Sequence, residues 1–354
     1  MAGMHLKKQY LPCLRQQQVR GPCEVPQAMV VVKIQQLGLS PSCNLIRTAA
    51  VRPPLLIYER TIRKPTECNG IGLHSGAPVR LRILPAPAGT GIVFRRVDLD
   101  GYEVEAISRN VAKVSYATSL MKKGVFISTT EHLLSAFIGM GVDNAIVELD
   151  NLEVPILDGS AQPFIEMITE AGLRQQRRKR VYLKILRPYE LHEGEKFIGV
   201  YPAERYSVSY AIDFPHPLIG SECFQVELSN GSYVEHIAAA RTFGFLEQQH
   251  AMLNMGLIRG ASRDNCVVLT RDGIDNPPLR FPDEFVRHKV LDLIGDLALF
   301  GKRILGYVKA DRAGHALHTA IVSRILRDQS YAEEITLSEA AVADWPEEHL
   351  AVAD

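Results

Sequence analysis

The stretch Arg287-His288-Lys289-Val290-Leu291-Asp292-Leu293-Ile294-Gly295-Asp296 sets an imidazole and two carboxylates at i, i+4 and i+8. On a helix these three share one face, and His288 with Asp292, one turn apart, can chelate a single ion. A solvated face carrying a local His–Asp hydrogen bond is the plainer alternative. Glu131-His132 offers a further imidazole with a carboxylate beside it. Three protein ligands and an open position make the catalytic form of a zinc site, in which a nearby carboxylate takes the proton of a metal-activated water. The alternative here is an exposed capping Glu next to a half-buried His. Two Gly/His clusters complete the set. Asn69–Gly76 lacks the G-x-G-x-x-G spacing and is followed by a strand-like segment, so a dinucleotide turn is excluded. Ala313-Gly314-His315-Ala316-Leu317-His318 puts an imidazole after a glycine, where it could act as general acid or stabilise a tetrahedral intermediate.

Several elements must hold these residues. Ser128-Thr129-Thr130-Glu131 has the form of a capping box, predicting a helix from His132 onward. The apolar spacing of Val286, Val290, Leu293, Ile294, Leu297 and Phe300 predicts a helix over 285–300 that packs inward on the face opposite His288. Further helices are expected over 163–171, closed by Gly172, and over 238–246. Alternation in Val79–Leu84 marks a half-buried strand, and 92–95, 145–149, 181–185, 197–200 and 206–212 read as strands. Strands followed by helices in each half give an α+β class. The expected division is a basic, disordered extension over 1–57, α+β domains over 58–178 and 179–330, and a loose acidic tail over 331–354. Arg177–Arg180 reads as a solvated linker between the halves.

The chain has 354 residues with 40 basic and 40 acidic side chains, which argues against a protein that coats nucleic acid through a global positive field. No apolar run approaches the ~20 residues a bilayer crossing needs, and a cytoplasmic location is expected. Six cysteines without CxxC pairing read as reduced thiols. Residues 1–57 carry a single acid, Glu24, and six prolines that prevent a long helix.

The segments GIGLHSG, TTEHLLSA, VDNAIVELD, PILDGSAQPF, RTFGF, FPDEFVRHKVLDLIGDLALFG and AGHALHT follow one another in that order from about Tyr58 to Arg327. In that series the chain resembles the UDP-3-O-acyl-N-acetylglucosamine deacetylases, zinc amidases of lipid A biosynthesis. The resemblance implies two similar α+β domains with their helices sandwiched between two sheets. It implies hydrolysis of the N-acetyl amide of UDP-3-O-[(3R)-3-hydroxyacyl]-N-acetylglucosamine to the free amine and acetate. It further implies zinc ligands at His132, His288 and Asp292, with Fe²⁺ suited to the same donors. Glu131 would be the general base, His315 the acid, Asp296 the group that orients it, and Thr242 a donor to the oxyanion. Lys289 and Lys196 would meet the diphosphate, and Phe243 would line the sugar and acyl site. His74 would stand at the mouth of the site. An acyl passage is expected within 245–262, from Ala251, Met252, Leu257 and Ile258. The nucleotide-sugar substrate is the one partner implied: no nucleic acid, no transmembrane segment and no obligate protein partner are expected.

Three competing readings were weighed. A zinc hydrolase of the same fold could act on another N-acyl sugar. A metal could merely join two halves of a binding protein, which would need neither Glu131 nor His315. A nucleic-acid module could rest on Arg177–Arg180.

Overall fold

A computed structural model describes residues 44–45, 55–112 and 115–338. The alternation of Pro78–Pro85 turns Val79, Leu81 and Ile83 into one core and leaves Arg80 outside. That strand lies second in a five-stranded sheet of order 66–71, 78–85, 145–149, 92–96, 102–105. A second sheet of eight strands runs 44–45, 220–227, 206–214, 303–311, 181–185, 332–336, with the hairpin 189–193/196–201 joined through 303–311. Six α-helices lie among the described residues: α1 (Glu131–Met140), α2 (Gln162–Ala171), α3 (Asn230–His236), α4 (Gln249–Asn254), α5 (Glu284–Leu297) and α6 (His315–Arg327).

The helices fill the space between the sheets. α1 packs on α5, α2 on α1 and the first sheet, and α5 and α6 on the second sheet. One continuous apolar core runs from Leu81 and Phe94 through Leu133, Phe137, Val290 and Leu293 to Tyr210 and Phe224. The class is mixed α+β, as expected. None of the described helices is long and apolar enough to cross a membrane.

Several local expectations are corrected. The capping box at Ser128 does not form: the N-cap Thr130 donates its hydroxyl to Thr118 O at 3.1 Å rather than capping the helix, Ser128 Oγ meets Ser119 Oγ at 3.1 Å, and the Glu131 carboxylate turns inward to accept from Thr118 N at 3.1 Å. No helix covers 238–246. A capping box from Ser229 to Ser232 starts α3 earlier, and Phe243–Phe245 instead pairs in parallel with Val267–Leu269. α5 has no solvated face, because α1, α6 and the second sheet cover it all round. Arg177–Arg180 is not a linker. Leu173–Lys179 pairs antiparallel with Tyr58–Ile62, and Arg180 is buried against Asp143 at 2.6 Å.

The tail read as loose from 331 begins with an edge strand, Ala332–Thr336, on Val181–Ile185. Within the extension, Asn44–Leu45 pairs in parallel with Phe224–Gln225; the rest of 1–54 and 339–354 lies outside the described residues. Cys68 and Cys266 are free thiols as expected, whereas Cys223 is disulfide-bonded.

Candidate active site

The site is assembled where α1 and α5 cross. Gly295 makes that crossing close: a Cβ there would stand 2.0 Å from the Glu131 carbonyl oxygen. The contact brings the first turn of α1 against the second and third turns of α5. His132, His288 and Asp292 are all at least 95% buried. His132 Nε2 lies 3.6 Å and His288 Nε2 3.4 Å from Asp292 Oδ1. The two rings meet edge to face at 5.0 Å.

These spacings carry chemical meaning. Donors about 2.0–2.1 Å from a tetrahedral ion are about 3.3 Å apart, so the edges fit three corners of such a site. His288 Nδ1 stands 3.1 Å from the Ala240 carbonyl, which can only accept, so Nδ1 carries the hydrogen and Nε2 keeps its lone pair for the cluster. Burial pushes the His288 imidazole down to about 3, against the pull of Asp292, so it is neutral as a ligand must be. Burial would raise Asp292, but His288 and Lys289 hold it well below the usual carboxylate range. Two imidazole nitrogens and a carboxylate suit Zn²⁺ or Fe²⁺.

Two groups flank these donors. Burial pushes the Glu131 carboxyl up to about 7, opposed by His315 and His132. His315 Nε2 faces Glu131 Oε1 at 3.9 Å. Burial alone would lower His315, yet the Asp296 carboxylate outweighs it and drives the imidazole up to about 10. Asp296 Oδ2 accepts from His315 Nδ1 at 2.7 Å and from His318 Nδ1 at 2.8 Å, while Oδ1 accepts from Thr118 Oγ1 at 2.5 Å. Asp296, His315 and His318 could be mistaken for a second metal cluster. Their separations are those of hydrogen bonds and too short for ligand edges around one ion, so the group is an orienting network.

His318 was the residue missed by sequence reasoning. It lies three positions after His315, so both imidazoles leave α6 on one face, and this i, i+3 spacing was the available signal. Its Nε2 is 3.2 Å from the Tyr210 hydroxyl, which in turn donates to the Ala313 carbonyl at 2.5 Å.

Among the other expected residues, Phe243 is near: its ring centroid lies 6.3 Å from that of His288, and Lys289 Nζ lies 5.4 Å from it while donating to Asp292 Oδ2 at 2.8 Å. Thr242 directly precedes Phe243, its amide donating to Gly159 O at 2.8 Å and its carbonyl accepting from Val267 N at 2.8 Å. His74 sits in a turn pinned by buried Glu153, which accepts from His74 N, Ser75 N and Thr129 Oγ1. His74 Nδ1 faces the Ile258 amide at 3.5 Å, and its Nε2 is buried without a partner. Lys196 is exposed, beside the turn of its hairpin and opposite Glu193. In the expected acyl segment, Leu253 and Met255 of the α4 region are exposed, and Met252, Leu257 and Ile258 are half-buried.

Comparison with known proteins points to one family. The family model for UDP-3-O-acyl N-acetylglycosamine deacetylase matches residues 59–327. A curated UDP-3-O-acyl-N-acetylglucosamine deacetylase of Solibacter usitatus (strain Ellin6076) is 53% identical over 285 residues, covering 80% of this chain and 96% of the relative. One of the same name from Anaeromyxobacter sp. (strain Fw109-5) is 45% identical over 80% of this chain and 93% of its own length. Another, from Saccharophagus degradans, is 40% identical over 81% of this chain and 96% of its own. With three quarters of its length inside the family model and 53% identity to a curated relative over 285 residues, this chain belongs to the UDP-3-O-acyl-N-acetylglucosamine deacetylase family of amidohydrolases.

Proposed function

We propose that this chain hydrolyses the N-acetyl amide of UDP-3-O-(3-hydroxyacyl)-N-acetylglucosamine, using a divalent cation, zinc or iron, held by His132, His288 and Asp292. The observation that carries the reading is the convergence of three buried donors at 3.4 and 3.6 Å with Glu131 and His315 beside them. The cation, when bound there, supplies Lewis acidity toward the acetyl oxygen and acidifies a water.

The chain's own groups do the rest. Glu131, ionised above about 7, takes the proton of the attacking water. His315, held cationic by Asp296, gives its proton to the departing nitrogen, so C–N cleavage leaves a neutral amine and acetic acid, which then loses its proton to become acetate. Thr118 and His318 fix Asp296 from two sides and thereby the direction of the His315 ring. Thr242 offers its hydroxyl to the developing oxyanion. Lys289 gives a cation for the diphosphate, and Phe243 an apolar wall for the sugar. Lys196 would reach the substrate from the hairpin tip, and His74 would border the entrance. The exposed apolar side chains at 246–258 would receive the acyl chain, at ~0.8 kcal/mol per buried CH₂.

Acetate release from the substrate by wild type and by Glu131→Gln tests this. The variant should keep its bound metal and lose at least about a hundredfold in kcat/KM. Unchanged turnover in the variant would remove Glu131 as base, and no release by the folded, metal-loaded wild type would overturn the assignment.

A further inference from the structure

At the opposite end of α1 from His132, about 10 Å along the helix axis, lies a separate cavity of about 310 Å³. It is lined by Arg60, Arg180 and Arg303, by Tyr206, and by apolar Leu55 and Leu305 among others. We propose that this cavity binds a small organic phosphate at a site distinct from the deacetylation centre.

Charge is the first argument. The three guanidinium groups share one carboxylate, Asp143, whose Oδ2 lies 2.6 Å from Arg180 and whose Oδ1 lies 3.6 Å from Arg303. Arg205, also on the wall, has its own carboxylate in Glu227 at 3.8 Å. Among the described residues two positive charges around Asp143 therefore lack a counter-ion, and a phosphate dianion matches that excess where a carboxylate covers half of it. The arginines disturb one another accordingly. Burial and Arg180 lower Arg60, and the same two causes push Arg303 down to about 10.

Unused donors are the second. The Nη groups of Arg180 and Arg303 cap the C-terminal end of α1, donating to the carbonyls of Gly141, Ile138 and Phe137. Helix capping accounts for those groups and for nothing else in the cavity. Among the described residues Arg180 Nε and the Tyr206 hydroxyl are buried with no hydrogen-bond partner, and Arg303 Nε has only its 3.6 Å approach to Asp143. Buried donors are rarely left unmade, and these three line one space. The Arg60 side chain takes no part in the capping. The volume exceeds what one phosphate fills, and Leu55 and Leu305 give the surplus an apolar wall, which is why an organic phosphate is favoured over the bare ion.

Isothermal titration of the full-length protein with glycerol 3-phosphate, with inorganic phosphate and UDP as comparison ligands, tests the site. One saturable equivalent per chain is expected, with inorganic phosphate at least fivefold weaker. Tyr206→Phe, which removes a hydroxyl no protein group uses, should keep the melting temperature and weaken binding at least fivefold. Arg60→Met should weaken it at least tenfold. Absence of saturable binding, or equal affinity in both variants, would overturn the proposal. Displacement by UDP would place the phosphate in the substrate site and overturn it too. Equal affinity for inorganic phosphate would overturn the organic ligand.

Discussion

Glu131 and His315 face each other across 3.9 Å, and their surroundings move them in the same upward sense for unlike reasons. The carboxyl rises to about 7 because burial penalises its anion, and the imidazole rises to about 10 because Asp296 favours its cation. A base must be ionised and an acid protonated, so kcat/KM should climb through about 7 and fall through about 10. A cation bound beside His132 favours the Glu131 carboxylate and moves the acid limb below 7. The pH profile of His315→Gln should retain the acid limb and lose the alkaline one. An alkaline limb that survives in that variant would take His315 out of the acid role. At this scale much of the constellation was legible, since His288 and Asp292 at i, i+4 form a recognisable pair. What could not be read was burial. The same letters describe a solvated helix face, and nothing local says that α1 and the second sheet close over it.

Between elements, the crossing of α1 and α5 decides whether the donors meet. Gly295 is the position with no room, its missing Cβ being replaced by the Glu131 carbonyl at 2.0 Å. Gly295→Ala should force the helices apart at a cost of about 1–3 kcal/mol, and lower zinc affinity at least tenfold by opening the 3.4 and 3.6 Å edges. Gly231→Ala, in α3 and with open space around it, serves as the control and should change neither quantity. Thermal denaturation and a competitive zinc titration of the two variants would decide it; equal affinities would show that the crossing distance does not set the site. Long periodic elements were readable in advance, as with α5 and the strand 78–85. Short ones were not. The run Ala238-Ala239-Ala240 carries strong helix propensity, yet Ser229 had already started α3 upstream and Phe243–Phe245 found a parallel partner at 267–269. Tertiary pairing outweighed local preference there.

Over the whole molecule, a metal seated between α1 and α5 joins the first turn of one helix to the middle of another within a single core. Chelation should therefore lower stability as well as activity. At free zinc a hundredfold above its Kd the linkage is about 2.7 kcal/mol, or a fall of roughly 4–5 °C in Tm on stripping for a chain of this size. Zinc should restore the Tm of wild type and of Glu131→Gln, and leave His132→Ala unmoved. A stripped enzyme that melts where the loaded one does would mean that no ion is held by these residues. Arg180 illustrates why the molecular scale resisted sequence reading. In a run of four basic residues it looked solvated, and only the fold shows Asp143 and the α1 carbonyls waiting for it.

The donors stand at positions 132, 288 and 292, so they leave the ribosome in two instalments. A nascent chain that has reached the middle of the second sheet holds one imidazole of the trio and has no way to grip a divalent ion firmly. An ion held there would thus report that synthesis has passed α5 and that α1 and α5 have docked.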